Sequence, residues 1–365
     1  MDSCSSLETL AQSRYNPNSS SDVTLGATTS PIEIDPANLE LSDISSAFKR
    51  AIMGGAGQKG AAGEYIDKAI AKARGDSKQH ALDKVSAIES MDTLQFCAAM
   101  RLFADWRIAR QVPAGYKGYA VGMGLGRKDV VSNIGKIERA IKGYLKVFDG
   151  VESGDHHARV GKTPSIRELL EVERLSGYHN NNRLPRLRDN SAAIGVLWML
   201  RQLKYQSRIY HNLIGGLGEG DSIKFVTQSY DEVYNDYHSW ATRKVFNLSF
   251  QTAPPKEAIY RFMLPELVGK LAKQAQTTTA TSSNASTSSD GRNPINPFVK
   301  VRNWIFRIDN KVQEEAVTWK GGAVDEQLQA HAFEQMAEFL EVVDVLLEGI
   351  DGLLEEFNMQ DPTKV

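Results

Sequence analysis

Three polar residues share one face of a predicted helix and could bind a ligand rich in hydroxyl and amide groups. In the segment Lys128–Ile137, Asp129, Asn133 and Lys136 stand at i, i+4 and i+7. A carboxylate, a carboxamide and an ammonium in one row offer hydrogen-bond acceptors and donors within a few ångströms of one another. The same spacing fits a solvated helix face that carries an Asp–Lys pair, so this polar stripe alone leaves both interpretations open.

The elements that must position this stripe are predicted to be helical throughout. Apolar residues recur with the period of a helix in most of the chain, and no segment alternates convincingly as a strand, so the fold class is all-α. The glycine-rich run 116–126 is predicted to be a loop before the stripe helix, which extends to about Phe148. The remaining helices are predicted at about 41–54, 64–90, 92–106, 166–175, 191–214, 229–250, 258–274, 298–311 and 330–357.

Composition narrows the class of protein. A formal net charge of −2 gives no excess of positive charge for phosphate neutralisation, so no nucleic-acid partner is expected. Hydrophobic residues make up 41% of the chain, an ordinary share for a soluble protein, and the two cysteines cannot build a disulfide framework. Residues 1–30 show no basic segment followed by an apolar one, so no secretory signal is expected. The sequence therefore predicts a cytoplasmic location.

Motifs for catalysis, metal binding or a cofactor are not found. Gly122, Gly124 and Gly126 resemble the start of a nucleotide loop, but an arginine follows where the dinucleotide fingerprint requires glycine, and no strand precedes it. The neighbouring His156 and His157 have no cysteine or carboxylate at ligand spacing, so surface histidines are the better interpretation. No nucleophile motif is present. We expect no enzyme activity, no catalytic residue, no metal and no cofactor.

Four segments, in this order along the chain, carry a family resemblance. They are Asp129-x-x-x-Asn133-x-x-Lys136-Ile137, Leu169–Glu173, Ala193–Tyr205 with its Trp198, and Tyr237-His238-Ser239-Trp240 followed by Phe246 and Ala253-Pro254. Their order and approximate spacing resemble the signature of the glycolipid transfer protein family. Each motif is weak alone, and the four in register are specific. The resemblance covers about 92–264 and the terminal helix 334–357.

The resemblance implies a fold and a set of roles. The fold is a two-layer sandwich of about eight helices that encloses a slot for one lipid. Asp129, Asn133, Lys136 and Trp198 match the residues that bind the headgroup, His238 with Asp129 matches the ceramide amide site, and Trp240 matches a membrane-docking tryptophan. Without the register agreement, the two tryptophans and the histidine would be better interpreted as core residues. The apolar slot is expected to include Ile194, Phe246 and Phe250.

The headgroup expected from the resemblance is a sugar. A family branch that binds ceramide-1-phosphate resembles the sugar branch in fold but has arginine at the Trp198 position, another arginine one turn later and lysine in place of Asn133. This chain has an aromatic and two neutral residues there, counting Gln202. The basic residues of the same helix and of the loop before it leave the phosphate alternative open; they are Arg201, Lys204, Arg208, Arg183, Arg186 and Arg188. The expected partners are a glycosphingolipid and, transiently, a membrane surface.

The chain departs from the family at its N-terminus and in one insertion. Residues 1–90 are predicted to be an extension, largely disordered with one or two short helices, and 91–360 the lipid-binding domain. A Ser/Thr-rich tract at about 274–296 is predicted to be a flexible insertion within that domain. A second hypothesis follows from the extension, in which the protein is a sphingolipid sensor or adaptor that contacts a protein partner through residues 1–90.

Overall fold

The described part of the protein is helical. A computed structural model describes residues 2–18, 39–53, 88, 91–149, 163–215, 222–271 and 322–365, and over these ranges its only β pairing is an isolated bridge between Asp92 and Ser165. The all-α prediction is therefore confirmed. The helices are α1 (Asp2–Arg14), α2 (Leu41–Ile52), α3 (Thr93–Gln111), α4 (Lys117–Phe148), α5 (Ile166–Leu175), α6 (Ala192–Ile214), α7 (Ser222–Tyr234), α8 (Trp240–Phe250), α9 (Lys256–Met263) and α10 (Gly322–Glu356), with a 3₁₀ turn at Asn181–Arg183.

The long helices pack as a closed ring around one core. Helix α2 packs on α3 and α10, α3 packs on α4, α4 packs on α6, and α6 packs on α10. The centre of the core is a cluster of buried aromatic rings, among them Phe48, Phe103, Tyr210 and Phe339. Helices α7 and α8 cover α6 and α4 from the outside. The predicted helical sandwich is confirmed; the described ranges contain the ten α-helices named above and a further helical segment at 265–271, rather than about eight helices.

Helix α4 begins at Lys117, so the loop predicted for residues 116–126 is wrong. The glycines there serve close packing between helices. A Cβ added to Gly122 would collide with the Ser249 hydroxyl of α8, and that hydroxyl donates a hydrogen bond of 3.0 Å to the backbone carbonyl of Gly118. Small residues at these places let α8 lie directly against α4, which is why a glycine-rich segment remains helical here.

The single helix predicted for residues 229–250 is also wrong. Helix α7 ends at Tyr234, and α8 begins at Trp240, after a turn in which the Ser239 side chain accepts a hydrogen bond from the Thr242 amide. Backbone hydrogen bonds join this turn to Val365, which donates to the Tyr237 carbonyl and accepts from the Ser239 amide. The break places His238 on a turn rather than in a helix.

The N-terminal region contains more helix than its composition indicates. Residues 2–14 form α1, where the sequence predicts disorder, while the short helix predicted near residue 41 is confirmed as α2. After α1, the Tyr15 hydroxyl donates a 2.8 Å hydrogen bond to the buried Glu173 carboxylate. The helices predicted at 64–90 and 298–311 lie outside the described residues except residue 88, and so do the paired histidines 156–157 and the tract 274–296. The proposed division of the chain at residue 90 stays a prediction.

Candidate functional site

The predicted headgroup residues surround one cavity. It has a volume of about 660 Å³ and is enclosed by α4, the loop 186–189, α6, the α7–α8 turn, the start of α8 and residues 361–365. The cavity wall includes all five polar or aromatic residues that the sequence singles out for headgroup or amide binding, namely Asp129, Asn133, Lys136, Trp198 and His238. Two apolar candidates, Ile194 and Phe246, line it as well. The structure thus brings these residues together, although their roles stay predictions.

Helix α4 presents its polar stripe to the cavity and its apolar face to the core. Val130, Ile134 and Ile137 are buried in the core. Burial raises the pKa of the Asp129 carboxyl above its usual value, and the Lys136 ammonium opposes that shift. Burial likewise lowers the pKa of Lys136, against the attraction of Asp129. The cavity wall therefore carries the opposite charges of Asp129 and Lys136 in one partly desolvated site.

Asn133 is the polar residue of the stripe with the most unused hydrogen-bonding capacity. The residue is only 1% exposed. In the described structure, neither its side-chain nitrogen nor its side-chain oxygen has a partner with full hydrogen-bond geometry. It lies close enough to Asp129 to lower the pKa of that carboxyl. A buried carboxamide with incomplete hydrogen bonding is costly, and a bound polar ligand would complete it.

Close approach of α6 to α4 sets the position of Trp198. A Cβ on Gly195 would lie 2.9 Å from the Asn133 backbone oxygen, so only glycine allows the two helices to come this near. Trp198 lies one turn further along α6. Its ring is stacked against His238 at a centroid distance of 5.5 Å, and His238 is stacked against Phe246 at 5.7 Å. The cavity therefore has an aromatic wall beside the polar stripe.

His238 is held as a neutral imidazole. Its Nδ1 lies 2.6 Å from the Tyr230 hydroxyl, and burial together with the nearby Arg201 guanidinium lowers the pKa of the ring to about 4. The hydroxyl proton needs an acceptor, and Nδ1 is the acceptor that the described structure provides. Tyr230 then donates to Nδ1, which places the ring proton on Nε2. The free Nε2–H is a donor suited to a carbonyl.

Two predicted residues lie away from the cavity wall. Trp240 is 69% exposed at the start of α8, where it contacts Lys244 and borders a shallow surface groove. Phe250 is buried behind the wall, packed against Tyr230 and Tyr205.

Arg201 is the arginine of α6 that reaches the cavity. It donates a 2.8 Å hydrogen bond to the backbone carbonyl of Asp361, and its guanidinium lies over the rings of Trp198 and Tyr237. The lysine and the other arginine of α6 are not part of the cavity wall. Lys204 forms an ion pair with Asp351, and Arg208 forms one with Glu232. Only Arg201 of the α6 arginines and lysines thus contributes charge to the site.

Sequence reasoning missed the contribution of residues 361–365. Asp361 is buried, and its carboxylate accepts hydrogen bonds from the Leu187 and Thr363 amides, which fastens the loop that carries Arg186 and Arg188. The contact with Leu187 joins positions 174 residues apart. No local pattern in the sequence indicates such a contact. The sequence does show the basic residues of this loop, and they are the reason why the phosphate alternative stays open.

A buried carboxylate orders the loop and the start of α6 behind the cavity. Glu173 accepts hydrogen bonds from the Ala192 and Ala193 amides, from His179 Nε2 and from the Tyr15 hydroxyl. A carboxylate at a helix N-terminus satisfies otherwise unpaired amides and complements the helix dipole. His179 Nδ1 in turn accepts from the Arg188 amide at 3.2 Å, so the loop and the helix share one anchor.

Comparison with known proteins identifies this architecture. Residues 117–265, which hold the polar stripe, Trp198 and His238, match the family model for the glycolipid transfer protein (GLTP). Over this segment the chain is similar to the GLTP family. No curated protein sequence matches the chain at a significant level. The matched residues contain α4 to α9, while residues 361–365 of the cavity wall lie beyond the end of the match.

Several solved structures are similar to the chain at low sequence identity. A structure of FAPP2, described as selecting simple glycosphingolipids with the GLTP fold, is 16% identical, covers 75% of this chain and 90% of its own, and gives a TM-score of 0.42. Mouse ceramide-1-phosphate transfer protein in its apo form is 12% identical, with coverage of 88% and 99% and a TM-score of 0.47. The fungal GLTP HET-C2 is 14% identical, with coverage of 73% and 86% and a TM-score of 0.39.

In the described ranges, no helix is both long enough and apolar enough to cross a bilayer. No group of three or more metal-ligating side chains occurs in those ranges either. The cavity combines donors, acceptors and an aromatic surface, and this combination is suited to a ligand with hydroxyl and amide groups.

Proposed function

We propose that this protein carries a glycosylceramide between membranes, with the sugar in the cavity and the acyl chains in an apolar slot behind it. The observation that carries the proposal is the placement of Asp129, Asn133 and Lys136 on one wall with Trp198 on an adjacent wall. Sugars present hydroxyls that both donate and accept, together with an apolar C–H face. A carboxylate, a free carboxamide and an ammonium suit the hydroxyls, and an indole suits the C–H face.

The ceramide amide would be bound by the pair His238 and Asp129. A buried amide must satisfy both its N–H and its C=O group. The neutral His238 ring offers Nε2–H to the carbonyl, and the Asp129 carboxylate accepts from the N–H. Beyond the amide, each buried methylene of the chains contributes about 0.8 kcal/mol, so an apolar slot lined by Ile194, Phe246 and Phe250 would hold them without polar contacts.

A ceramide-1-phosphate headgroup is the second candidate, and the observation that favours it is the charge of the loop side of the cavity. Arg186, Arg188 and Arg201 all border the cavity, and phosphate is bound best by such guanidinium groups. Against it, Arg201 already donates to the Asp361 carbonyl and lies on two aromatic rings. Asn133 and Gln202, which also border the cavity, are neutral. We therefore favour the sugar.

The membrane contact is proposed to be made by α8. Trp240 and Leu248 are 69% and 63% exposed, Val245 is also exposed, and Lys244 lies over the Trp240 ring. Large exposed apolar side chains next to a cation suit an interfacial helix. Since Phe246 of the same helix lines the cavity, docking through α8 would bring the cavity close to the bilayer. We place the carrier in the cytoplasm, with transient membrane contact.

The headgroup assignment is tested by transfer of fluorescent glucosylceramide and of fluorescent ceramide-1-phosphate between phosphatidylcholine vesicles. The wild-type protein is expected to transfer the glucosylceramide faster. Asp129→Val is expected to abolish most of that transfer, and Trp198→Ala to slow it at least about tenfold, equal to about 1.4 kcal/mol of lost stacking. Asp105→Val, which removes a surface carboxylate paired with Arg127, is the matched control. Unchanged transfer by Asp129→Val would refute the assignment.

The docking surface is tested separately by vesicle sedimentation. Leu248→Ser is expected to lower the vesicle-bound fraction, corresponding to about a tenfold weaker partition for the loss of one inserted apolar side chain. Ile214→Ser removes another exposed apolar side chain, from the end of α6, and should leave the partition unchanged. Equal loss in the two variants would contradict docking through α8.

A further inference from the structure

Arg107 of α3 is a buried arginine directly behind the cavity. The residue is 6% exposed, and its guanidinium packs against the rings of Phe103 and Tyr205. Its hydrogen bonds run to the Gln202 side-chain oxygen at 3.1 Å and to the Met123 sulfur at 3.4 Å, and its Nε has no partner. In the part of the chain that the structure describes, no carboxylate forms an ion pair with Arg107. A buried cation with this environment is costly, so its retention calls for a role.

The position of Arg107 fixes the orientation of the Gln202 carboxamide. Arg107 has only donors, so the atom of Gln202 that faces it must be the oxygen. The amide nitrogen of Gln202 is then the group left to interact with Asp129: the two side chains border the same cavity, and Gln202 lowers the pKa of the Asp129 carboxyl. Gly126 lies over this contact, with the Gln202 side chain and an Arg107 nitrogen 3.8 to 3.9 Å from the place of its missing Cβ.

We propose that Arg107 is a positioning residue for the headgroup site, which acts through Gln202 by locking its carboxamide with the oxygen towards Arg107 and the NH₂ towards Asp129. This inference rests on the proposed headgroup role of Asp129. In a flipped carboxamide, the oxygen of Gln202 would face the carboxylate, and two acceptors would repel each other at the centre of the site. Locking the amide removes that alternative.

We call the series Arg107–Gln202–Asp129 the relay. Arg107 differs in position from the other charged residues around Asp129. Helix α4 contributes Lys136, α6 contributes Arg201, the α7–α8 turn contributes His238, and the loop contributes Arg186, Arg188 and Asp189. All of these border the cavity and are able to contact a ligand. Arg107 does not border the cavity, so a change at this residue reaches the ligand only through its neighbours.

A double-mutant cycle tests the proposal, with Arg107→Met, Gln202→Met and the double variant. Binding of fluorescent glucosylceramide and the pH titration of the Asp129 carboxyl carbon by NMR are measured on each full-length protein. Each single variant is expected to weaken binding about tenfold and to raise the pKa of Asp129, because Arg107→Met unlocks the Gln202 carboxamide and Gln202→Met removes it. In the Gln202→Met background, Arg107→Met is expected to change neither quantity further.

The result that would overturn the proposal is an additive cycle. If Arg107→Met weakens binding and raises the pKa of Asp129 as much in the Gln202→Met background as in the wild type, Arg107 acts by its charge or by packing alone. Arg101→Met, on the exposed side of α3, is the matched control and should leave both quantities unchanged. If Arg107→Met does not fold, Gln202→Met alone tests the proposal. An unchanged pKa of Asp129 in Gln202→Met would then refute it.

Failure of the proposed function gives a different pattern of results. If the wild-type protein binds neither glucosylceramide nor ceramide-1-phosphate, the carrier proposal fails. The Asp129 titration needs no ligand, so it supports or refutes the relay in that case as well.

Discussion

His238 provides the sharpest prediction, because a neutral ring at this position links stability to pH in a defined window. An unfolded histidine takes up a proton near pH 6.5, whereas the folded ring has a pKa of about 4. Between these values the unfolded state binds more protons, so the free energy of unfolding decreases as the pH falls from 6.5 to 4 and is fully restored above 6.5. The difference of about 2.5 pKa units corresponds to about 3 kcal/mol across the window.

The assay is urea unfolding followed by tryptophan fluorescence at pH 7.5 and at pH 4.5, for the wild type and for His238→Phe. The phenyl ring retains packing against Phe246 and Tyr234 but cannot titrate. The variant is expected to be less stable at pH 7.5, because the Tyr230 hydroxyl loses its acceptor. On going to pH 4.5, the wild type should lose about 2.5 kcal/mol more than the variant. An equal loss in both proteins would refute the neutral ring and the donor role assigned to Nε2.

Three further predictions concern packing and the N-terminal contact. Gly122→Val should destabilise the protein by about 2 kcal/mol in urea unfolding, because its side chain would collide with Ser249; an unchanged midpoint would contradict the close α4–α8 contact. Gly124→Ala, on the open side of the same helix, should instead stabilise it by about 0.5 to 1 kcal/mol, and a loss of stability would indicate a neighbour there. Tyr15→Phe should cost about 1 kcal/mol by removing one of the hydrogen bonds to Glu173, and a neutral result would mean that the residue after α1 is not docked.

The sequence predicts helices well where their ends are marked locally. The predicted helix at 166–175 agrees with α5 to the residue, because the Ser165 side chain and Glu168 form a capping box at its start. The predicted loop at 116–126 fails because glycine lowers helix propensity, while tertiary packing of Gly122 on Ser249 overrides that preference. The same kind of tertiary effect divides the predicted helix 229–250, where the backbone pairs with Val365.

The candidate site was predictable where its residues share a helix or a family motif. Asp129, Asn133 and Lys136 could be grouped by spacing alone, and the register of four motifs added Trp198 and His238. The remaining parts of the wall depend on contacts between distant segments. Asp361 with the loop at Leu187, and Arg107 with Gln202, are joined only by the folded chain, and neither pair carries a local sequence signal.

The central claim is that the cavity binds a sphingolipid through its sugar. It is tested most directly by native mass spectrometry of the full-length protein, with identification of the lipid that co-purifies from a eukaryotic expression host. The account predicts a one-to-one complex whose added mass corresponds to a glycosylceramide, and loss of that mass in Asp129→Val. A complex with ceramide-1-phosphate that persists in Asp129→Val, or a protein that carries no sphingolipid from that host, would contradict it.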